Sequence, residues 1–309
     1  MNRPGADAIA EFGWFWAHRW LILRRVVQVG ILLLFMLTPL ATAMIAKGDT
    51  RLPWASLKIV KGNLAYSLTL DTLPLTDPYV ALQSLVSGHL PETLGIVGVL
   101  IVLVFYFLVG GRVYCSWVCP INIVTDLAAA LRRRLNIKGS AQLHRSARFW
   151  MLAMTLILSA LTGTVIWELL NPVSMMFRGL VFGIGAAWMV VLAVFLFDLF
   201  VMSRGWCSRL CPVGAFYSLI GHWSPLRISA SKRAACNDCM DCFEICPEPQ
   251  VIRPALKGEE KGLSPVILAS ACTNCGRCID VCSKDVFKFG TRFARSASLP
   301  DAPNPTNPV

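Results

Sequence analysis

Charge is scarce in this chain. Of its 309 residues only 15% are Asp, Glu, Lys or Arg, while 55% are hydrophobic; ordinary soluble domains carry roughly 25% charged residues. The length would allow two soluble domains, but the composition favours an integral membrane protein. Acid is scarcer than base: 18 Asp and Glu stand against 29 Lys and Arg, a net charge of +11. Histidine is rare too. The four are His18, His89, His144 and His222, and none lies in a long apolar run, which disfavours a haem held by two histidines between membrane helices. No C-x-x-C-H occurs, so covalently attached c-type haem is excluded. No G-x-G-x-x-G follows a strand-like run, so no dinucleotide-binding unit is visible.

Four apolar stretches are present, Val26 to Ala46, Thr93 to Gly110, Phe149 to Trp167 and Leu180 to Met202. At 1.5 Å rise per residue each comes close to or exceeds the ~30 Å hydrocarbon core of a bilayer, so each is expected to be a transmembrane helix. Residues 1–25, 111–148 and 203–309 hold 24 of the 29 Lys and Arg. The excess of positive charge predicts that these segments, and with them both termini, face the cytoplasm. It also accounts for the basic balance without nucleic acid, and none is expected as a partner. Arg24-Arg25, the following apolar run and Ala41-Thr42-Ala43 also have the form of a secretory signal. The leading segment is long for that reading, and the apolar run is long enough to span. Asp126 to Leu135, with Arg132, Arg133 and Arg134, reads as a short helix on the inner membrane face with its arginines toward lipid phosphates. Equally, those arginines could serve topology alone.

The expected exported loops, Lys47 to Glu92 and Glu168 to Gly179, contain no cysteine, so all 12 thiols fall on the reducing side or at its membrane face. Disulfides explain that distribution badly, and ligation explains it well. Cys236, Cys239, Cys242 and Cys246 form C-x2-C-x2-C-x3-C followed by Pro247, and Cys272, Cys275, Cys278 and Cys282 repeat it, followed by Ser283. This is the run of bacterial two-cluster ferredoxins, in which the fourth thiol ligates the other cluster. Cluster 1 then takes Cys236, Cys239, Cys242 and Cys282, and cluster 2 takes Cys272, Cys275, Cys278 and Cys246. Zinc sites usually pair their thiols across a longer gap and fit this spacing badly. Asp238, Asn274 and Gly276 are small residues suited to close backbone approach to a cluster. The remaining thiols form a second repeat, Cys115-Ser-Trp-Val-Cys119-Pro120 and Cys207-Ser-Arg-Leu-Cys211-Pro212. Each follows the second apolar stretch of a pair. A third cluster, another metal site, a thiol relay and simple packing are all compatible with this repeat.

The chain resembles the NapH family, ferredoxin-type membrane subunits of the periplasmic nitrate reductase system. The matching segments include HRWLILRR (His18 to Arg25), DTLPLTDP (Asp71 to Pro78), LQSLVSGHLP (Leu82 to Pro91), CSWVCP, LTGTVIWE (Leu161 to Glu168), NPVSMMFRG, GWCSRLCPVGA and both ferredoxin runs. The resemblance implies a bacterial inner-membrane protein with four spans, cytoplasmic termini, two [4Fe–4S] clusters and a part in quinol oxidation. Electrons would pass through a NapG-like iron–sulfur protein or a NapC-like tetrahaem cytochrome. NosR, CcoG and MauN proteins share the motifs. NosR adds a flavin-bearing domain and CcoG a further C-terminal domain, neither of which is expected here; MauN is harder to separate.

The expected architecture is therefore a membrane α-helical protein, four transmembrane helices in two tandem pairs, followed by a small α+β two-cluster ferredoxin-like domain. Residues 1–25 would form an N-terminal segment, 26–229 the membrane domain, 230–290 the ferredoxin-like domain and 291–309 a disordered tail. No complete catalytic site is visible. An electron-transfer subunit of a quinol dehydrogenase is one reading; a membrane assembly or redox-sensing protein for another metalloenzyme is the other. A quinol site needs a proton acceptor beside an apolar slot. His89 with Glu92 is the candidate pair, with Glu168 and Asp198 as further titratable groups near apolar runs; Asp198 could instead pair with Arg204.

Overall fold

A computed structural model describes residues 4–46, 60–62, 65–69, 72–137, 139, 141, 143–183 and 185–293. The expected tail from 291 lies, from residue 294 on, outside the described residues, as do the side chains of residues 37–46.

The four-span expectation is corrected by the helices themselves. Among the described residues, no helix is long and apolar enough to cross a membrane. The second apolar stretch forms the helix Thr93–Val109, 17 residues long, which reaches only about 26 Å. The third is cut at Gly163, which caps the helix Ala147–Thr162 in the left-handed conformation, and the chain restarts as Ile166–Leu170. The fourth is divided by left-handed Gly183 into Pro172–Phe182 and Gly185–Leu196, and then winds into a π-turn, Phe197–Val201. The first stretch belongs to a 28-residue helix, Arg19–Ala46. Its described half carries Arg19, Arg24 and Arg25, with Arg24 and Gln28 fully buried. The third and fourth hydrophobic runs thus do not correspond to uninterrupted helices, because glycine and a π-turn break them. The orientation read from the basic residues loses its basis with the spans.

The helices gather around two short turns that carry the C-x3-C-P cysteines. Before them, Val60–Gly62, Tyr66–Thr69 and Leu73–Thr76 form an antiparallel sheet with Ser67 opposite Leu75. It lies on the 93–109 helix, where an added Cβ at Gly98 would meet Thr76 Oγ1 at 2.9 Å. After them, Leu226–Ser229 pairs with Lys288–Thr291, so the first and last strands of the C-terminal module close on each other. Its core is built from Ile228, Ile252, Ile267 and Phe287, with Trp20 of the long helix packed against it. Asp280 binds the module to that helix: its carboxylate accepts the Trp20 N–H at 3.2 Å and the Leu21 N–H at 2.9 Å. This satisfies donors that a helix start leaves without partners.

Gly111 marks the closest approach of the two halves. A Cβ there would lie 1.7 Å from the Tyr217 carbonyl oxygen and 2.6 Å from the Gly221 nitrogen. Both obstacles are backbone, so neither can swing aside. Gly111→Ala is expected to destabilise the fold by about 3 kcal/mol and lower the thermal midpoint by several degrees. Gly290→Ala, with nothing within 4 Å of the new methyl, should leave the midpoint unchanged.

Candidate iron–sulfur and thiol sites

The two ferredoxin runs adopt the same backbone. In the first, Asp238 (φ 59°) and Met240 (φ 66°) are left-handed; in the second, Asn274 (φ 46°) and Gly276 (φ 73°) occupy the equivalent places. Left-handed residues two apart curl the chain so that successive cysteines face one centre and backbone N–H groups turn inward, a shape suited to anions. Cys236, Cys239, Cys242 and Cys282 line one cavity, the four thiols that the run spacing assigns to cluster 1. Cys246 lies among the second run: Cys275 and Cys272 both push its thiol pKa up, after burial. Cys275 is the contrary case. Burial opposes its thiolate, but Arg277 and Arg24 outweigh it and hold the pKa below the usual value. Among the described residues no three His, Cys, Asp or Glu side chains converge tightly enough for one metal ion; a cube of iron and sulfide holds its thiolates further apart than a single ion does. Eight thiols in two runs of ferredoxin spacing fit such cubes.

Both C-x3-C-P segments also fold alike. Tyr114–Val118 and Trp206–Leu210 are single π-turns. They are closed by Cys119 N–H to the Tyr114 carbonyl and Cys211 N–H to the Trp206 carbonyl, each at 2.9 Å. Cys119 (φ −65°, ψ 118°) and Cys211 (φ −68°, ψ 114°) are then extended, as a residue before proline must be. The proline starts the next helix, Ile121–Arg134 in one copy and Pro212–Ile220 in the other. Cys115, Cys119, Cys207 and Cys211 line a single small cavity of about 30 Å³ with Tyr114, Trp167 and Trp206. The second ferredoxin run presses directly on this site. Ser116 Oγ donates to the Thr273 carbonyl at 2.7 Å, and Trp117 Nε1 to the Asn274 carbonyl at 3.1 Å. Gln28 reaches in from the long helix and donates to the Ser116 carbonyl at 2.9 Å.

Two carboxylates, Glu248 buried and Asp126 mostly so, hold these parts together, and neither stands out in the sequence. Glu248, just after Cys246-Pro247, is 2% exposed. It faces Arg112 at 3.2 Å, Arg209 at 3.2 Å and Arg148 at 3.5 Å. Arg112 precedes Cys115, and it also donates to the Cys207 carbonyl at 3.1 Å and the Ala271 carbonyl at 2.7 Å. One guanidinium therefore touches both repeats and the second ferredoxin run. Asp126 faces Arg277 at 2.6 Å, Arg204 at 3.4 Å and Arg25. Burial alone would raise its pKa, but Arg277, Arg204 and Arg25 bring it down to about 2.

A family model described as a 4Fe-4S binding domain matches residues 92–138 and again 184–231, each containing one C-x3-C-P segment, and a 4Fe-4S dicluster domain matches residues 235–286. The ferredoxin-type protein NapH of Escherichia coli (strain K12) is 47% identical over 294 residues, 95% of this chain and 96% of the relative. The chain belongs to the NapH family of ferredoxin-type proteins. Its likeness to the methylamine utilization ferredoxin-type protein MauN of Paracoccus denitrificans is as extensive, 51% identity over 93% of this chain and 95% of the relative. The ferredoxin-type protein NapH of Haemophilus influenzae is 44% identical over 94% of this chain and 96% of its own length. No solved structure matches. As a NapH-family member with these domains, the chain is an iron–sulfur electron-transfer protein.

The other residues singled out in the sequence of this NapH-family chain fall in varied places. His89 and Glu92 are exposed before the 93–109 helix, and His89 Nδ1 lies 3.4 Å from Ser87 Oγ. Glu168 accepts from Ser174 Oγ at 2.7 Å and Asn171 Nδ2 at 3.2 Å at the head of a helix. Asp198 accepts the Trp206 N–H at 2.9 Å, while Arg204 turns to Asp126 instead of Asp198. The three neighbouring arginines divide: Arg132 is buried and donates to the Leu199 carbonyl at 2.7 Å, whereas Arg133 and Arg134 are exposed. An arginine set facing lipid phosphates as a whole is thereby corrected, because Arg132 ties its helix to the following repeat.

A carboxylate whose folded pKa is depressed stabilises the fold above its unfolded pKa and stops doing so as pH falls through the folded one. For Asp126 that loss runs from about pH 4 to about pH 2 and amounts to roughly 2 kcal/mol. Asp126→Asn should therefore be clearly less stable than wild type at pH 7, and the gap should close near pH 2. Equal thermal midpoints at pH 7 would show that Asp126 does not anchor its arginines.

Proposed function

We propose that the chain takes electrons from a membrane quinol and passes them, through iron–sulfur centres, to partner redox proteins that serve a periplasmic nitrate reductase. The observation that supports this best is the contact of the C-x3-C-P thiol turns with the second ferredoxin run through Ser116, Trp117 and Arg112. Such contact supports a path between the C-x3-C-P thiols and the second ferredoxin run. Cys236, Cys239, Cys242 and Cys282 hold one [4Fe–4S] cluster, and Cys272, Cys275, Cys278 and Cys246 the other. Cys115, Cys119, Cys207 and Cys211 hold a third redox centre, for which soft thiolates favour iron–sulfur over a hard cation. When bound, the clusters would supply one-electron acceptors, two of which would match the two electrons that a quinol loses with its two protons. A NapG-like iron–sulfur protein or NapC-like cytochrome is the acceptor.

A place at the bacterial inner membrane is supported by the apolar side chains left exposed on the 93–109 and 147–162 helices, among them Leu100, Phe105, Leu108, Trp150 and Ile157. Contiguous apolar surface of that kind marks contact with lipid or protein. A second reading has its own support. The likeness to MauN is no weaker than that to NapH, so the chain is alternatively a redox or assembly factor for another periplasmic enzyme.

Full-length protein with reconstituted clusters, mixed anaerobically with menadiol or decylubiquinol, should show cluster reduction by electron paramagnetic resonance. Absence of reduction by either quinol, in protein that dithionite still reduces, would remove the quinol reading. Deleting the gene should abolish quinol-driven nitrate reduction; undiminished nitrate reduction would favour the second reading.

Ligation has its own tests. Cys246→Ser should damage the cluster of Cys272, Cys275 and Cys278 and spare the one of Cys236, Cys239 and Cys242. Cys115→Ser with Cys207→Ser should slow electron transfer while both ferredoxin signals remain. Iron for two cubes only, with that double variant fully active, would return the four thiols to packing.

A further inference from the structure

Positive charge is divided unevenly between the two groups of ferredoxin thiols. Five buried guanidinium groups gather around Cys246, Cys272, Cys275 and Cys278. Arg204 donates to the Ile245 carbonyl, next to Cys246, at 2.5 Å. Arg112 donates to the Ala271 carbonyl, next to Cys272, at 2.7 Å, and Arg227 to the Ala269 carbonyl of the same segment at 3.3 Å. Arg277 lies between Cys275 and Cys278 in the chain. Arg24 stands one helical turn beyond Trp20, to whose carbonyl its Nε donates at 3.3 Å. The Trp20 ring lies against Gly276, where an added Cβ would meet Trp20 Cγ at 2.7 Å, and Arg24 and Arg277 line one cavity. Glu248, Asp126 and Asp280 stand among these cations, but Glu248 and Asp126 are shared with further arginines, Arg148, Arg209 and Arg25. The excess is therefore positive. Neither Arg24 nor Arg227 forms an ion pair among the described residues.

Cys236, Cys239, Cys242 and Cys282 have different surroundings. Cys239 is exposed. The nearby cations are neutralised one by one: Lys257 pairs with Asp238, Arg233 with Glu259 and Lys232 with Asp285. Asp241 and Glu244 add negative charge within the same run. A cube of iron and sulfide on four thiolates is anionic, and taking an electron adds one more negative charge. Positive charge nearby favours that reduced form, and water screens the effect least where the groups are buried. Burial itself opposes added charge, and it pushes the Cys272 thiol pKa up to about 11. At Cys275 the balance tips the other way: burial still opposes the thiolate, but Arg277 and Arg24 outweigh it. Two guanidinium groups thus suffice at one thiol, and the cluster as a whole has five.

We propose that this arginine shell makes cluster 2 the more easily reduced of the two clusters, so that electrons collect beside the C-x3-C-P thiols, and that Arg24 supplies the unpaired part of its charge. The proposal rests on the ligation given above and is independent of the quinol. Arg24 acts through its charge, so a lysine can replace it and a neutral side chain cannot.

The test is an anaerobic dithionite titration of cluster-loaded full-length protein, with each cluster followed by its electron paramagnetic resonance signal; the signal that Cys246→Ser alters belongs to cluster 2. That signal should appear at the higher potential. In Arg24→Gln the ratio of reduced to oxidised cluster 2 at a fixed potential should fall about tenfold, a shift of about 59 mV for one electron, with the cluster 1 signal unmoved. Arg24→Lys should restore most of it. Arg227→Gln removes a second unpaired guanidinium and should shift the same signal in the same direction; it carries the test if Arg24→Gln does not fold. Reduction of cluster 1 before cluster 2 overturns the proposal. So does a cluster 2 potential unmoved in Arg24→Gln, or moved equally in Arg24→Lys, which would make the role of Arg24 one of packing. A single cubane signal in fully reduced wild type would overturn the two-cluster ligation, and the ordering with it.

Discussion

Burying a charge is costly unless opposite charges meet it, and this fold offsets that cost with arginines at Glu248, which is buried, and at Asp126, which is mostly so. Each carboxylate stands among three guanidinium groups drawn from distant parts of the chain. Arg25 comes from the long helix, Arg112 from before the first thiol turn, Arg148 from the 147–162 helix, Arg204 and Arg209 from around the second thiol turn, and Arg277 from the ferredoxin-like module. Removing either acid would leave several buried cations facing one another. The relative placement of the two C-x3-C-P turns and the second cluster loop depends on these two compensations more than on any one apolar contact.

The same arginines serve a second electrostatic need. Thiolate ligands and inorganic sulfide make a cluster anionic. Arg24, fully buried with no partner on either Nη among the described residues, stands close enough to Cys275 to favour its thiolate, together with Arg277. Buried positive charge that would be a liability in an ordinary core thus becomes countercharge beside a cluster loop. Asp126 then prevents an excess of it. Charge balance and the position of the thiols are in this way set by one network.

The internal repeat shows how a short motif can determine a local shape outright. Both C-x3-C-P segments wind one π-turn, extend at the second cysteine and begin a helix at the proline. Proline dictates the last two steps sterically. π-turns are uncommon and often accompany functional sites. Here the turn brings the first cysteine of each pair to the same cavity as the second. Hydrogen bonds from Ser116 and Trp117 then join that cavity to the second ferredoxin loop.

Much of the site was legible because it is local. Cysteine spacing named the ferredoxin runs and the thiol repeat. Asp238, Asn274 and Gly276 stood out as residues for tight backbone, and all three are left-handed. The architecture around them was not legible. Long apolar runs suggested four spans, yet Gly163, Gly183 and the π-turn at Phe197–Val201 interrupt the third and fourth, and the second forms a helix of only 17 residues; a hydropathy pattern records burial or lipid contact without recording where a helix stops. Nor could the sequence choose partners for Asp126, Glu248 or Asp198. Many arginines were available to each, and Coulomb attraction selects by distance, which only the packed chain defines. The sequence by itself determined which atoms can bind iron and sulfide, since ligand chemistry resides in residue type and short spacing. Tertiary structure alone decided which thiol groups adjoin and which charges are paired, because those depend on contacts between residues far apart in the chain.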